Sequence, residues 1–484
     1  MRTLPEAPMN SHEEVLSWWG DTAGSEGAQI TVGPDGRLTG LLLGDSEQLV
    51  GALGVRGIAD EPYRPDEIRV DADEIETAGR CAGLDVRVRH SFDHVWQMRI
   101  GLTNPGDRPV RVGRLLLDAA AGADGLLEVF GAGAVAYLTY HRLTSPRCLS
   151  LRLTRGDLFA GRDGLGTPEL ELAPGGRYQV VLSGEWYAGP DRVRQRLPIW
   201  FPDSLDHPFA DRADPLIEHP DVAVTVRAVT GAPDLDVLEI AEPRGVARLE
   251  VSYVDIHRAC GRIARDLVDR GELTTAAEAL IVLRGVADHT VGQDEAAGLV
   301  EAYLDRPGDA PGPLRVVLLL RARDLLGEHL AVRAAAELAA LPPGPGVLLA
   351  GLHLFTAAPD AVDGLTPESL AGRLVGLLAD PDTDPVTLTE LQLLLAGGSE
   401  EVGVRLVRAR REVDLLCATD PGELWPLRSD ADAARALAVD ALLPNPQGEP
   451  TVAYRRVRRL IARSPLEPDG LEAVAWLLTL PSTD

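Results

Sequence analysis

The residues best equipped for chemistry are concentrated between positions 185 and 219: Trp186, Tyr187, Trp200, Phe201, Asp203, Asp206, His207, Asp211, Asp214 and His219. Aromatic faces stack on the C–H surfaces of sugars, and carboxylates accept hydrogen bonds from paired hydroxyls. Trp186, Tyr187, Trp200, Asp203, Asp206 and His207 are therefore the candidate substrate-binding residues. The stretch is long and contains proline, and loops of that kind between strands often carry binding sites. It fits equally a linker crossing a sheet, with Trp200 and Phe201 fixed beneath it and the acids in water. Asp203, Asp206 and His207 offer oxygen and nitrogen ligands. Their spacing matches no metal motif, so no metal site is expected.

Other reactive side chains are dispersed. His90 and His94 flank Phe92 at a strand junction, and His353 sits in the apolar run 347–355. Hydrogen-bonded structural roles account for each. Cys81, Cys148, Cys260 and Cys417 share no metal-ligand spacing and read as buried, reduced thiols. No serine or cysteine has the flanking sequence of a hydrolase nucleophile. Two arginine groups stand out: Arg405, Arg408, Arg410 and Arg411, then Arg455, Arg456, Arg458, Arg459 and Arg463. Guanidinium forks grip anionic partners, or such groups pair with acids on neighbouring helices.

All 47 basic residues are arginine; the 484-residue chain contains no lysine. That excludes lysine nucleophiles, pyridoxal-phosphate chemistry, the P-loop lysine and kinase-type phosphate binding. It also leaves no side-chain amine for isopeptide tagging by a ubiquitin-like or Pup-like system. Against 74 acids, the arginines leave a net charge of -27, which disfavours nucleic acid as a partner. No apolar run approaches the ~20 residues of a membrane span, and the first residues lack a signal-type apolar core, so a soluble cytoplasmic protein is expected. No cofactor is called for.

The elements that must position these residues follow from periodicity. Leu84, Val86 and Val88 alternate with Asp85, Arg87 and Arg89, as do Trp96, Met98, Ile100 and Leu102 with their neighbours. Val222, Val224 and Val226, and Leu249, Val251 and Tyr253, repeat the pattern. Period two predicts strands with one buried face. Turn sequences such as Asn104-Pro105-Gly106-Asp107 separate them. From Ile256 the period becomes 3.6, through Cys260, Ile263 and Leu267. Thr366-Pro367 and Asp384-Pro385 read as helix starts. The predicted fold is a large antiparallel β-sandwich over 1–253, with a possible short helix at 11–19. An all-α domain over 254–484 follows, with about twelve short helices paired as hairpins. These would close into a toroid or stack as an open solenoid.

The segment LDVRVRHSFDHVWQMRIGLTNPGDRPVRVGRLLL, with the later ELAPGGRYQVVLSGEWY, resembles the galactose-mutarotase-like supersandwich. In several glycoside hydrolase and phosphorylase families that sandwich precedes an (α/α) toroid, the order predicted here. No catalytic motif of those families maps onto particular residues. The resemblance implies a carbohydrate-related protein that binds or hydrolyses a glycan at the sandwich/helical junction. Hydrolysis would use two carboxylates, with the acid in a loop between helices. Glu423, beside Trp425 in the irregular stretch 419–429, and nearby Asp420 are then the catalytic candidates, and Trp425 joins the binding set. A solvated loop with Trp425 plugging the helical core is the alternative there. At the level of function the alternative is a non-catalytic scaffold, with an open solenoid and the sandwich both serving as protein-interaction surfaces. Contact between the first and last helical hairpins separates the two readings.

Overall fold

In a computed structural model, the described residues are 2–3, 14–18, 28–43 and 47–479, the last range excluding 144, 162–163, 203, 208–215, 231, 307–310, 362–364, 379, 381, 393–408, 414, 416–421, 426–428, 443–460 and 462–467. Strands fill the chain to Gly245–Ser252, and helices dominate from Ile256–Arg270 onward. The architecture is a large antiparallel β domain followed by a helical domain.

The alternating segments form strands because each can bury one face. Leu84–Phe92 and Trp96–Thr103 pair antiparallel, with Leu84, Val86, Val88, Trp96, Met98, Ile100 and Leu102 all buried. They belong to a fourteen-stranded sheet that packs on a second, six-stranded sheet. The apolar core between them takes Ile30, Leu41 and Leu53 from the smaller sheet and Leu138, Leu149 and Leu182 from the larger. Asn104 fixes one end of the sandwich. Its buried side-chain amide donates to the carbonyls of Arg108, Leu172 and Ala173, and its Oδ1 accepts from the Gly106 N–H. One turn is thereby tied to the turn at Ala173–Gly176.

One local expectation is corrected. Glu14–Trp18 is a strand, not part of a helix, and pairs antiparallel with Ala28–Val32. A helix of nine residues has to supply its own nucleus, whereas a sheet edge offers ready-made backbone partners.

In the helical domain six helices form an inner set: Ala276–Ala287, Pro313–Leu326, Val347–Ala357, Pro385–Gln392, Asp430–Leu442 and Pro468–Leu478. Each packs against the next, and the last packs back on the first, closing a circle rather than leaving an open stack. Burial explains which helices lie inside. Pro313–Leu326 buries residues on every side, from Leu314 to Leu320 without a break, as a helix surrounded by protein must. Ile256–Arg270, packed outside Ala276–Ala287, buries a single stripe through Ala259, Cys260, Ala264 and Leu267. Helix starts follow the sequence signals. Thr275 and Glu278 make a capping box, Thr366 accepts from the Ser369 N–H, and Asp384 accepts from the Thr387 N–H. No helix among the described residues is long and apolar enough to cross a membrane.

Candidate functional site

The seam between the two domains lies on the outer face of the large sheet. Four strands run side by side there: Gly125–Gly133, Ala136–Arg142, Cys148–Arg155 and Arg177–Tyr187. Their register sets Glu128 beside Thr139, Thr139 beside Ser150, and Ser150 beside Glu185. The adjacent rows contain Tyr137 with Arg152 and His141 with Cys148 and Tyr187. Side chains alternate along a strand, so all of these share one face. The intervening Leu127, Val129, Leu138, Leu149 and Trp186 point into the sandwich core.

Glu128 is the centre of this polar face. It is buried and takes a hydrogen bond on each oxygen: Tyr137 Oη donates to Oε1 at 2.9 Å, and His141 Nε2 lies 2.8 Å from Oε2. Burial pushes the Glu128 carboxyl up, but His141, the nearby Arg194 guanidinium and Tyr137 together more than offset it. The group is held below the ordinary carboxylate range, ionised. The imidazole proton then sits on Nε2, facing the carboxylate, and Nδ1 finds no partner among the described residues. Thr139 and Ser150 hydrogen-bond each other at 2.9 Å. The Cys148 thiol is pushed up to about 12, first by burial and then by the Glu128 charge, so it stays protonated and inert. At the outer edge of the face the burial relaxes. Arg152 Nη2 lies 3.6 Å from Glu185 Oε2, both side chains are part-exposed, and Tyr187 Oη donates to the same carboxylate oxygen at 2.8 Å.

One segment covers the face and another flanks it. Residues 190–202 supply Val193 over Cys148 and Tyr187, and Phe201 edge-on against Phe130 at 5.8 Å. From the helical domain, the strand Glu423–Trp425 pairs antiparallel with Leu127–Val129, placing Leu424 beside Glu128. The approach requires glycine at 422, because a Cβ there would stand 2.4 Å from Glu128 Oε1.

With this geometry in place, comparison with known proteins is informative about architecture. No known protein family matches the chain, and no curated protein does. A solved polysaccharide lyase shares its fold. The match has a TM-score of 0.58 and covers 93% of this chain and 94% of that one at 12% identity. A TPR-domain protein from Parabacteroides distasonis aligns over 90% of this chain and 94% of its own at 12% identity, with a TM-score of only 0.25. The first likeness is one of fold alone, and it extends over both the β domain and the helical domain.

The binding candidates from the sequence fall in different places. Trp186 is 6% exposed and lies in the sandwich core. Trp200 is equally buried in a separate cluster, and its Nε1 donates to Glu242 Oε2 at 3.0 Å. Neither ring presents an open face for stacking. Tyr187 is on the seam face. Asp206 is buried, its N–H donating to Ser204 Oγ, and His207 is held by its own N–H on the Ser252 carbonyl and by its ring on the Ser204 carbonyl at 2.6 Å. These contacts fold the segment onto the end of the sheet. Glu423 and Trp425 sit on a strand that pairs alongside Leu127–Val129, not in a free loop. Asp203, Asp211, Asp214, Asp420 and the arginines at 455–463 lie outside the described residues. Glu128, Tyr137, His141, Arg152 and Glu185 are not among the candidates named from the sequence. A signal was there: Glu128 interrupts the apolar run 126–130, and Tyr137, Thr139 and His141 alternate along one strand.

Proposed function

We propose that the protein has a carbohydrate-related function and binds a glycan at the seam, along the outer sheet face. The observation that carries this reading is the polar row itself. A wired carboxylate, imidazole and phenol at Glu128, His141 and Tyr137 continue outward into the half-open Arg152–Glu185–Tyr187 group. A guanidinium beside a carboxylate offers donors and acceptors in the spacing of vicinal hydroxyls. The closed circle of inner helices adds support, since an open scaffold would leave its ends apart. For hydrolysis, Glu423 and Asp420 remain the proposed carboxylate pair, which would need to stand about 5–10 Å apart.

The test is binding to an array of neutral and uronic-acid polysaccharides, followed by calorimetry on the best glycan. Arg152→Ala and Glu185→Ala should each weaken binding by about tenfold, the cost of one or two lost charged hydrogen bonds. A protein that binds no glycan on the array, or whose binding ignores both substitutions, overturns the proposal. The scaffold reading has one observation of its own: Glu128, Tyr137 and His141 are each at most 3% exposed, as suits a clamp between domains. Glycan binding with an unchanged affinity in Arg152→Ala would favour that clamp.

A further inference from the structure

We propose that residues 190–199 are a lid, which swings off the seam as one piece and admits a glycan to Glu128, His141 and Tyr137. Its role as a gate rests on the glycan-binding reading above; the motion itself does not. With the segment in place those three side chains are buried and no ligand reaches them. The segment is stiff inside. The Arg192 N–H donates to the Gly189 carbonyl, Gln195 to Asp191, Arg196 to Val193 and Leu197 to Arg194. Among the described residues, every backbone-to-backbone hydrogen bond of 190–199 has its partner within 189–201, so none ties it to a strand of the sheet.

What holds it down is side-chain contact at a few points. Val193 is its one buried residue, seated on Cys148 and Tyr187. Leu197 is half-buried against the cluster that contains Trp200. The Arg196 carbonyl accepts a long bond from Arg152 Nη1, at 3.4 Å, and the Arg194 guanidinium is drawn to the Glu128 charge. Asp191, Arg192, Gln195, Arg196 and Ile199 face water, Ile199 at 86% exposure. Gly189 precedes the segment with no side chain to anchor, and Trp200, fixed on Glu242, follows it. The piece can therefore turn about its two ends once Val193 leaves its seat. The closed state also leaves polar atoms wanting. Arg152 Nε and His141 Nδ1, the latter on the residue paired with Cys148, are sealed without a partner among the described residues. An open lid lets water or a sugar hydroxyl reach them, which offsets the exposure of Val193.

Cys148, directly under Val193, reports the motion. Closed, its thiol is buried and protonated and does not react; open, it does. The full chain is treated with iodoacetamide in the absence of glycan, and each cysteine is followed by peptide mass spectrometry. Cys148 should be alkylated at least about tenfold faster than Cys260, which is buried in the helical domain, because a local opening needs less free energy than global unfolding. Its rate should stay flat in urea too dilute to unfold the protein, since a local opening exposes little surface. Val193→Ala, shown to be folded by its thermal transition, should speed Cys148 by about tenfold through the loss of two buried methyl groups. It should also bind the array-selected glycan about tenfold more tightly, because more molecules are open. A Cys148 rate no faster than that of Cys260, one that climbs with urea as unfolding does, or one indifferent to Val193→Ala overturns the lid, whether or not a glycan binds. Glycan affinity unchanged in Val193→Ala overturns its role as a gate. An array that yields no glycan overturns the reading above and with it the gate, while the thiol rates still decide the motion.

Discussion

Two glutamates, one in each domain, are buried to the same degree and end in opposite charge states. Glu128 is on the sheet at the seam, and Glu390 is on an inner helix of the circle; they are 3% and 1% exposed. Both carboxylate oxygens of Glu128 meet directed donors, Tyr137 and His141, and the group is ionised. Glu390 has Oε1 on the Gly346 N–H at 3.1 Å, while Oε2 has no partner among the described residues. Arg435 Nε lies 3.2 Å from Oε1, close enough for an ion pair but too poorly aligned for a hydrogen bond. That guanidinium also faces Asp384 at 2.9 Å and Asp432 at 3.3 Å. Burial therefore prevails, and the Glu390 carboxyl is pushed up to about 8, neutral at pH 7, with Arg435 only partly opposing and Asp384 adding to the rise. Depth alone does not set ionisation; the direction of the neighbouring donors does.

The contrast can be broken at its stronger end. Glu128→Leu strands the Tyr137 hydroxyl and the His141 imidazole in a sealed site and should cost about 3–5 kcal/mol in urea unfolding. A loss below about 1 kcal/mol would mean that the network is not what holds the seam. Gly422→Ala acts on the same site from the helical side. The added methyl meets Glu128 Oε1, and overpacking of this kind costs about 1–3 kcal/mol. Amide exchange at Leu424 should accelerate along with that loss, and unchanged exchange would separate the strand from the carboxylate.

The subtlest effect is in the pH dependence, where the two glutamates have opposite signs. Glu128 has a lowered folded value, so its contribution is present above the ordinary 4.5 and lost as pH falls through the folded value. Glu390 has a raised one, so its contribution is complete below 4.5 and lost as pH rises through about 8. Melting temperature should therefore decline on both limbs. Glu390→Gln should remove the decline between pH 4.5 and about 8 and leave the acid limb, while staying within about 1 kcal/mol of wild type at pH 4.5, because an amide oxygen accepts the same Gly346 N–H. An alkaline limb that persists in Glu390→Gln would place its cause elsewhere.

Much of the architecture was legible in local pattern. Period-two alternation located Leu84–Phe92 and Trp96–Thr103, and Thr366-Pro367 and Asp384-Pro385 marked true helix starts. Local pattern failed at Glu14–Trp18, where the deciding partner, Ala28–Val32, is another strand. At Val222, Val224 and Val226 it held in part: Val222 and Val224 are half-buried against a core cluster, whereas Val226 is 56% exposed on the terminal strand. The polar face at the seam was hidden for a related reason. Glu128, Thr139, Ser150 and Glu185 become neighbours only through the register of four strands, and register is a long-range property. Aromatic content drew attention to Trp186 and Trp200, but a large ring is as useful to a core as to a ligand.

The closed circle of helices also has a consequence for the order of synthesis. Ala276–Ala287 packs against Pro468–Leu478, which leaves the ribosome about 180 residues later. At the usual rate of about 5–20 residues per second, the first inner helix waits roughly ten to forty seconds for that neighbour. During that interval the buried surface of Ala276–Ala287 lacks one of its covers. A nascent chain arrested before residue 468 should accordingly be a better chaperone client than the finished protein.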